Sequence, residues 1–184
     1  VQGRDFLSAN YKSRRFIFAG RDRCDETVDI QRCVRDSRYK YIRNFMSHVP
    51  HAQPSQYKDG KKILQVIRDL YKEGKLNKQQ ARPFASRRSP EELYDLHSDP
   101  YELINLAEEP KYQKELLAMR KILFQRMTET RDVGLIPEPI LEDLGREAGN
   151  KYQAFLDNDY SEQTRRLMDV ITAGEENEST KLLE

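Results

Sequence analysis

Two cysteines, Cys24 and Cys33, are the only candidates for thiol chemistry in this chain. They do not form a Cys-x-x-Cys pair, and their separation fits neither a zinc site nor a redox motif. The two thiols either pair across a bend or stay reduced and partly buried. We favour the reduced form, because a single pair of cysteines does not make a disulfide framework.

Histidine and carboxylate side chains are the other candidate bases and metal ligands. His48, His51 and His97 all fall in segments that are predicted to be loops. We expect each of them to be exposed or hydrogen-bonded rather than to act as a ligand or a base. The acidic run Asp157-Asn158-Asp159 is interpreted as a loop that leads into a helix rather than as an ion site.

Basic side chains alternate with aromatic ones around Arg35, Lys40 and Arg43. Such interleaving can indicate a nucleic-acid-binding surface. A strand with a basic solvent face and a buried tyrosine face produces the same pattern, because side chains of a strand alternate between its two faces. We favour the strand, and no nucleic-acid partner is predicted.

The composition limits how much core the chain can build alone. Apolar residues make up 37% of the sequence and charged residues 34%, whereas globular domains average roughly 45–50% apolar with glycine included. The 10 Tyr and 7 Phe are nevertheless more aromatics than a disordered chain carries. The sequence therefore predicts a folded piece that buries one face against something larger. No apolar run approaches the roughly 18 residues of a membrane span, so none is predicted.

The formal net charge is +1, but charged residues are distributed unevenly along the chain. Residues 1–45 hold 11 Lys and Arg against 6 Asp and Glu, and residues 138–184 hold 5 against 12. A basic front is compatible with an anionic ligand, and an acidic end is typical of a solvated tail. An ordinary mixed surface also accounts for both features, and we favour it.

Hydrophobic spacing predicts an α+β fold with a small antiparallel sheet of about four strands. Two strands form a hairpin around Asp36-Ser37, and the others contain Phe16–Ala19 and Leu93–Leu96, with Gly20–Arg23 as a polar loop. The longest helix is expected from Pro110 to about Asp132, across one face of the sheet. Its apolar stripe consists of Tyr112, Leu116, Met119, Leu123 and Met127.

Further helices are predicted from spacing and from capping residues. One contains Ile63–Tyr71 and ends at Gly74, and Asn77 with Gln80 forms a capping box for a short one. Another is expected over Ser161–Thr172, followed by a frayed acidic end at Gly174–Glu184.

The stretch Glu92–Ala107 contains Glu-Leu-Tyr-Asp, Asp-Pro-Tyr-Glu and Asn-Leu-Ala, and it closely resembles the C-terminal signature of the sulfatases. The nearest members are sulfamidase-like (heparan N-sulfatase) and bacterial arylsulfatase-like enzymes. Earlier pieces resemble the family in the same order: Gly3–Leu7, Phe18–Arg23 with Asp25-Glu26, Arg32–Arg35 and Arg38–Asn44. The resemblance covers about Gln2 to Pro137. It implies a sulfatase C-terminal subdomain over residues 1–137 and a helical, acidic C-terminal extension over 138–184.

Sulfatases resemble alkaline phosphatases in fold and use a formylglycine made within Cys/Ser-x-Pro-x-Arg, beside a calcium ion held by Asp and Asn. Neither Cys24 nor Cys33 lies in such a motif, and in Ser98–Glu102 a glutamate replaces the arginine. The resemblance thus implies no catalytic and no metal residue in this chain. Calcium and formylglycine are expected in a missing N-terminal catalytic domain, which would be its partner.

The resemblance also singles out Arg21, Asp22 and Arg23 as candidate substrate-binding residues. In a sulfatase an arginine at this position would contact a sulfate or a sugar carboxylate through charge-assisted hydrogen bonds. The alternative is a structural loop in which Asp22 pairs with a neighbouring arginine.

The functional expectation is a fragment of a sulfuric ester or sulfamate hydrolase that acts on sulfated sugars and is inactive alone. Family resemblance implies a periplasmic, secreted or lysosomal location. The alternative is a stand-alone, non-catalytic module that binds sulfated or other anionic glycans.

Overall fold

The sheet has four antiparallel strands in sequential order. A computed structural model of the chain describes the backbone of residues 3–181 and the side chains of residues 3–175. The strands are β1 (Ile17–Cys24), β2 (Thr27–Arg35), β3 (Tyr39–Asn44) and β4 (Glu91–Asp95), in the order β1-β2-β3-β4. The predicted α+β architecture is confirmed.

The β2–β3 hairpin turns at Asp36, as the sequence predicts. The Asp36 Oδ1 atom accepts hydrogen bonds from the backbone N–H groups of Arg38 at 2.8 Å and Tyr39 at 2.7 Å. Aspartate favours such turns because its short carboxylate can replace a backbone acceptor.

β1 runs further than predicted, so the interpretation of Gly20–Arg23 as a loop is wrong. Arg21 pairs with Gln31 and Arg23 with Val28, with a register shift between them that places a β-bulge at Asp22. Edge strands commonly carry bulges and charged side chains, since both oppose pairing with another chain. These polar residues therefore lie in an edge strand, which is hydrogen-bonded within the sheet only to β2.

Seven α-helices surround the sheet in the described part of the chain. They are α1 (Gln56–Asp59), α2 (Lys62–Lys72), α3 (Lys78–Ala81), α4 (Gln113–Glu129), α5 (Glu138–Glu147), α6 (Lys151–Asp157) and α7 (Ser161–Lys181). Short 3₁₀ turns cover Arg82–Phe84, Pro110–Tyr112 and Val133–Leu135. None of the helices among these residues is long and apolar enough to cross a membrane.

Two helix boundaries follow the predicted signals. Asn77 Oδ1 accepts from the Gln80 N–H at 2.9 Å, and Gln80 Oε1 accepts from the Asn77 N–H at 3.0 Å, which is the expected capping box. After α2, Gly74 adopts a positive φ of 67°, a conformation that glycine reaches without a steric penalty.

The core lies between the sheet and α4. Val34, Tyr41 and Leu93 are paired across three strands and are buried under the helix. α4 contributes four buried residues at helical spacing: Leu116, Met119, Leu123 and Met127. The predicted stripe is confirmed, although its Tyr112 end belongs to the preceding 3₁₀ turn.

α7 lies beside α4 and adds Met168 to the same core. The helix does not end at Thr172 but continues to Lys181, so a frayed end beginning at Gly174 is wrong for the residues described. An ion pair between Glu175 and the buried Arg43 of β3 ties this part of α7 to the sheet. Residues 182–184 lie outside the described part. The domain division at residue 137 stays a prediction.

Leu123→Ala is expected to lower the free energy of unfolding by about 2–5 kcal/mol, because it leaves a cavity in the core. Leu123 is 1% exposed, whereas Leu117 on the same helix is 53% exposed. Urea denaturation of both alanine variants measures the difference, and Leu117→Ala should stay within about 0.5 kcal/mol of wild type. Equal losses in the two variants would contradict this placement of α4.

Candidate functional site

The three predicted site residues do not converge on one point. The Asp22 carboxylate lies 2.7 Å from Arg32 Nη2, and Arg23 forms an ion pair with Glu138 at the start of α5. Both residues thus contact groups on the helical side of the sheet. Arg21 instead extends toward Asp29, with 3.8 Å between Arg21 Nη1 and Asp29 Oδ2. For Asp22 the structure shows the pairing with an arginine that the structural alternative anticipated.

Arg32 is the centre of this helical-side cluster. Its guanidinium binds Asp132 with two hydrogen bonds of 2.6 and 2.8 Å. Burial alone would raise the pKa of Asp132, but Arg32 outweighs it and the pKa is lowered. A Cβ atom at Gly134 would lie 1.9 Å from Arg32 Nη2, so only glycine lets the chain pass this close. The cluster attaches the segment after α4 to the sheet, and the ion pair with Arg32 restrains the Asp22 side chain.

On the opposite face, the fully buried Asp29 pairs with Arg88, whose side chain is also buried. Arg88 Nη1 lies 2.9 Å from Asp29 Oδ2 and 3.1 Å from His51 Nδ1, and Nη2 donates to the Met46 carbonyl. Arg88 Nε is buried without a hydrogen-bond partner. A buried guanidinium is retained where its charge is matched, since an unpaired one is costly.

Glu92 of β4 is the second buried carboxylate on this face. It accepts hydrogen bonds from Asn44 Nδ2 at 2.8 Å and from Arg82 Nη2 at 2.6 Å, and it also accepts from the Tyr94 hydroxyl. His51 Nε2 lies 3.7 Å away. Burial would raise the pKa of Glu92, but the hydrogen bonds to it and the Arg82 charge outweigh burial and lower the pKa to about 2. Glu92 is therefore ionised at neutral pH.

A groove of about 670 Å³ opens beside this network, between the α2–α3 segment and the loop that follows β4. Its basic lining residues are Lys78, Arg82, Arg87 and Arg88, and Glu92 is its one carboxylate. Its large apolar lining residues are Tyr71 of α2 and Leu103 and Ile104 of the loop after β4. No spacing pattern in the sequence indicated this site, because its residues come from four separate segments. The one local signal was the Arg87-Arg88 pair just before a predicted strand.

The described residues form no cluster of His, Cys, Asp and Glu that could hold a metal ion. Cys24 and Cys33 are both free thiols. Cys33 is half-buried, as expected from the sequence, whereas Cys24 is exposed, so the expectation of partial burial is wrong for Cys24. Burial raises the pKa of Cys33, so this thiol is a poor nucleophile. Asp159 accepts a hydrogen bond from the Ser161 N–H at the start of α7, in keeping with a loop that leads into a helix.

Glu92 should make the fold sensitive to acid. Because its pKa is about 2 in the folded chain and ordinarily 4.5, its stabilising effect is complete above about pH 5 and is lost as the pH falls toward 2. We expect the free-energy difference between wild type and Glu92→Gln to shrink by up to about 3 kcal/mol across this window. Urea denaturation at several pH values measures it, with exposed Glu108→Gln as the control. A difference that does not change with pH would contradict the ion-paired state.

Comparison with known proteins relates the chain to one family of enzymes. No family model matches it. One ulvan-active sulfatase of Formosa agariphila is 40% identical over 139 residues, which is 75% of this chain and 23% of the relative. A second ulvan-active sulfatase of the same organism is 31% identical over 148 residues, or 79% of this chain and 27% of the relative.

Among solved structures, a 2-O GAG sulfatase, BT1596, aligns with 66% of this chain and 18% of its own, at 24% identity and a TM-score of 0.40. This score is too low to support an argument about fold. The two sequence matches are stronger, and the chain spans about a quarter of the length of those relatives. The chain is therefore similar to part of the sulfatases, and these matches support a C-terminal sulfatase fragment, as the motif resemblance predicted.

Proposed function

We propose that the chain is the C-terminal subdomain of a sulfuric ester or sulfamate hydrolase that acts on sulfated sugars. The observation that carries this proposal is the 40% identity to an ulvan-active sulfatase over 75% of the chain. A sulfatase that is active on ulvan removes sulfate from it, and a sulfated glycan is the corresponding substrate class for the parent of this chain.

The chemistry of the reaction belongs to the rest of the parent. The residues present here fit neither a formylglycine nor a calcium ion, because the sequence lacks Cys/Ser-x-Pro-x-Arg and the described side chains form no oxygen-ligand cluster. We therefore assign both groups to an N-terminal catalytic domain and expect no turnover from this chain alone.

The role of this chain is to support that domain and to complete its substrate pocket. Large apolar side chains remain exposed along β1 and the start of β2, namely Ile17, Phe18 and Val28. Ile17 and Phe18 point to opposite faces of the sheet, and Val28 lies near the other end of β1, opposite Arg23. β1 is also an edge strand, whose outer backbone N–H and C=O groups are available for pairing with another chain. The edge position and these side chains support the proposal that the catalytic domain packs against β1.

Arg21, Asp22 and Arg23 remain the proposed substrate contacts. Of the three, Arg21 has the most freedom to bind an anion. Its nearest carboxylate is 3.8 Å away and is already bound by Arg88, and its side chain is 33% exposed. An arginine in this state can bind a sulfate without first breaking a short ion pair.

The whole gene product should release sulfate from a sulfated oligosaccharide, whereas residues 1–184 alone should release none. Ion chromatography of free sulfate measures both, and a calcium chelator should abolish the release. If the short chain released sulfate at a rate comparable with that of the whole product, the assignment of the nucleophile to another domain would be wrong.

Arg21→Ala in the whole gene product should lower kcat/KM by about 10- to 100-fold, the value of a charge-assisted hydrogen bond to substrate. Arg21→Lys should restore part of the loss because it keeps the positive charge. Exposed Arg35→Ala, on the adjacent strand, is the matched control and should have little effect. Equal effects of Arg21→Ala and Arg35→Ala would argue against a substrate contact.

The second candidate function is a stand-alone module that binds sulfated or other anionic glycans without hydrolysing them. The basic groove beside Arg82 and Arg88 favours it. A whole gene product that contains no nucleophile motif yet binds heparin in a salt-sensitive way would support this function over the hydrolase.

A further inference from the structure

We propose that the groove between the α2–α3 segment and the loop after β4 binds the anionic groups of a sugar chain, as sulfate esters or carboxylates. This inference deepens the proposed function, on which its choice of ligand rests. It moves the main recognition surface from Arg21–Arg23 to residues that the family motifs did not single out.

Charge is the first argument. Four basic residues and one carboxylate line the groove, and that carboxylate, Glu92, is bound by Arg82 and Asn44. Arg88 is paired with Asp29, which is not among the lining residues, so its charge is balanced and the excess positive charge includes that of Lys78. Lys78 is exposed at the mouth. A cleft with an excess of one sign of charge concentrates ligands of the opposite sign and repels metal cations.

Preorganisation is the second argument. The Arg82 guanidinium is held by Glu92 and by the Glu102 carbonyl at 3.3 Å, and its side chain is still 38% exposed. Arg88 is fixed deeper in the wall by Asp29, with one buried donor, Nε, unpartnered. Arginines fixed in this way lose little side-chain entropy when they bind a planar carboxylate or a sulfate.

Shape and polarity indicate a sugar rather than a free ion. A volume of about 670 Å³ lies within the roughly 300–1,000 Å³ of small-molecule sites and is far larger than one sulfate ion. Part of the lining is apolar, with Ile104 63% exposed and the Tyr71 ring packed on Phe84 at 5.4 Å. Sugar rings present apolar C–H faces beside polar substituents, so a site that is lined by both basic and apolar residues matches them.

The groove and Arg21 lie along one continuous network. Arg21 approaches Asp29, Asp29 binds Arg88, and Arg88 lines the groove. This chain of ion pairs runs through the protein interior, because the Asp29 and Arg88 side chains are 0% and 3% exposed, and it holds Arg21 in a fixed position relative to the groove.

Two substitutions at the mouth test the groove, each with a control of the same chemistry. Lys78→Ala is matched by Lys121→Ala, and Ile104→Asp by Leu117→Asp; all four positions are exposed, so folding should persist in each variant. The protein is the whole gene product, and its unfolding transition verifies the fold. The probe is a heparin tetrasaccharide, with its desulfated form as a second ligand, measured by calorimetry in the presence of a calcium chelator.

Lys78→Ala and Ile104→Asp should each weaken binding of the sulfated probe by about 3- to 10-fold, as expected for lost or opposed charge at a partly exposed site. The two controls should bind as wild type does, and the desulfated probe should bind weakly to every form. If groove and control variants bind equally well, or weaken equally, the groove is not the site and the inference is overturned.

Sulfate release by the same variants, measured with calcium present and without the chelator, separates this inference from the proposed function. Release of sulfate with no effect of the groove variants on binding leaves the hydrolase standing and overturns the groove. Groove-dependent binding with no release overturns the hydrolase and leaves the groove as a glycan-binding site.

Discussion

Buried arginines, each matched by a carboxylate from a distant segment, hold the helices and loops onto a sheet that has little apolar surface of its own. Arg32 with Asp132 anchors the end of α4, and Arg88 with Asp29 anchors the loop before β4. Such pairs need not add much net stability, because removing two charges from water offsets their attraction. Breaking one of them is nevertheless costly, because it leaves an unmatched buried charge. The pairs therefore specify which segments meet.

The same pairing determines which charges remain available for a ligand. Asp22 contacts Arg32 and Arg23 contacts Glu138, so two of the three motif residues already have partners. On the other face of the sheet, Arg21 is 33% exposed and Lys78 is exposed at the groove, so both can still bind an anion. An arginine that stabilises a fold and one that recognises an anion look identical in sequence, and only their partners in the fold separate them.

The arrangement also gives a physical reason for a sulfatase to carry this subdomain. A sheet covered by α4 on one face presents polar, arginine-rich surface on the other, and exposed apolar residues lie along its β1 edge. The edge supports packing against a larger body, and the arginines support recognition of a negatively charged substrate. Under the proposed function, chemistry and recognition would be divided between two parts of the parent enzyme.

Local patterns in the sequence determined the elements and the family. The α4 stripe, the Asp36 turn and the Asn77 capping box are encoded by residues within a few positions of one another. Only the tertiary structure determined the long-range ion pairs, since Arg32 and Asp132 are 100 residues apart in the sequence and Asp29 and Arg88 are 59 apart. From the sequence alone, any of the many carboxylates could be the ion-pair partner of a given arginine. Strand pairing also overrode local polarity at Arg21–Arg23, because backbone hydrogen bonds to β2 do not depend on side-chain charge.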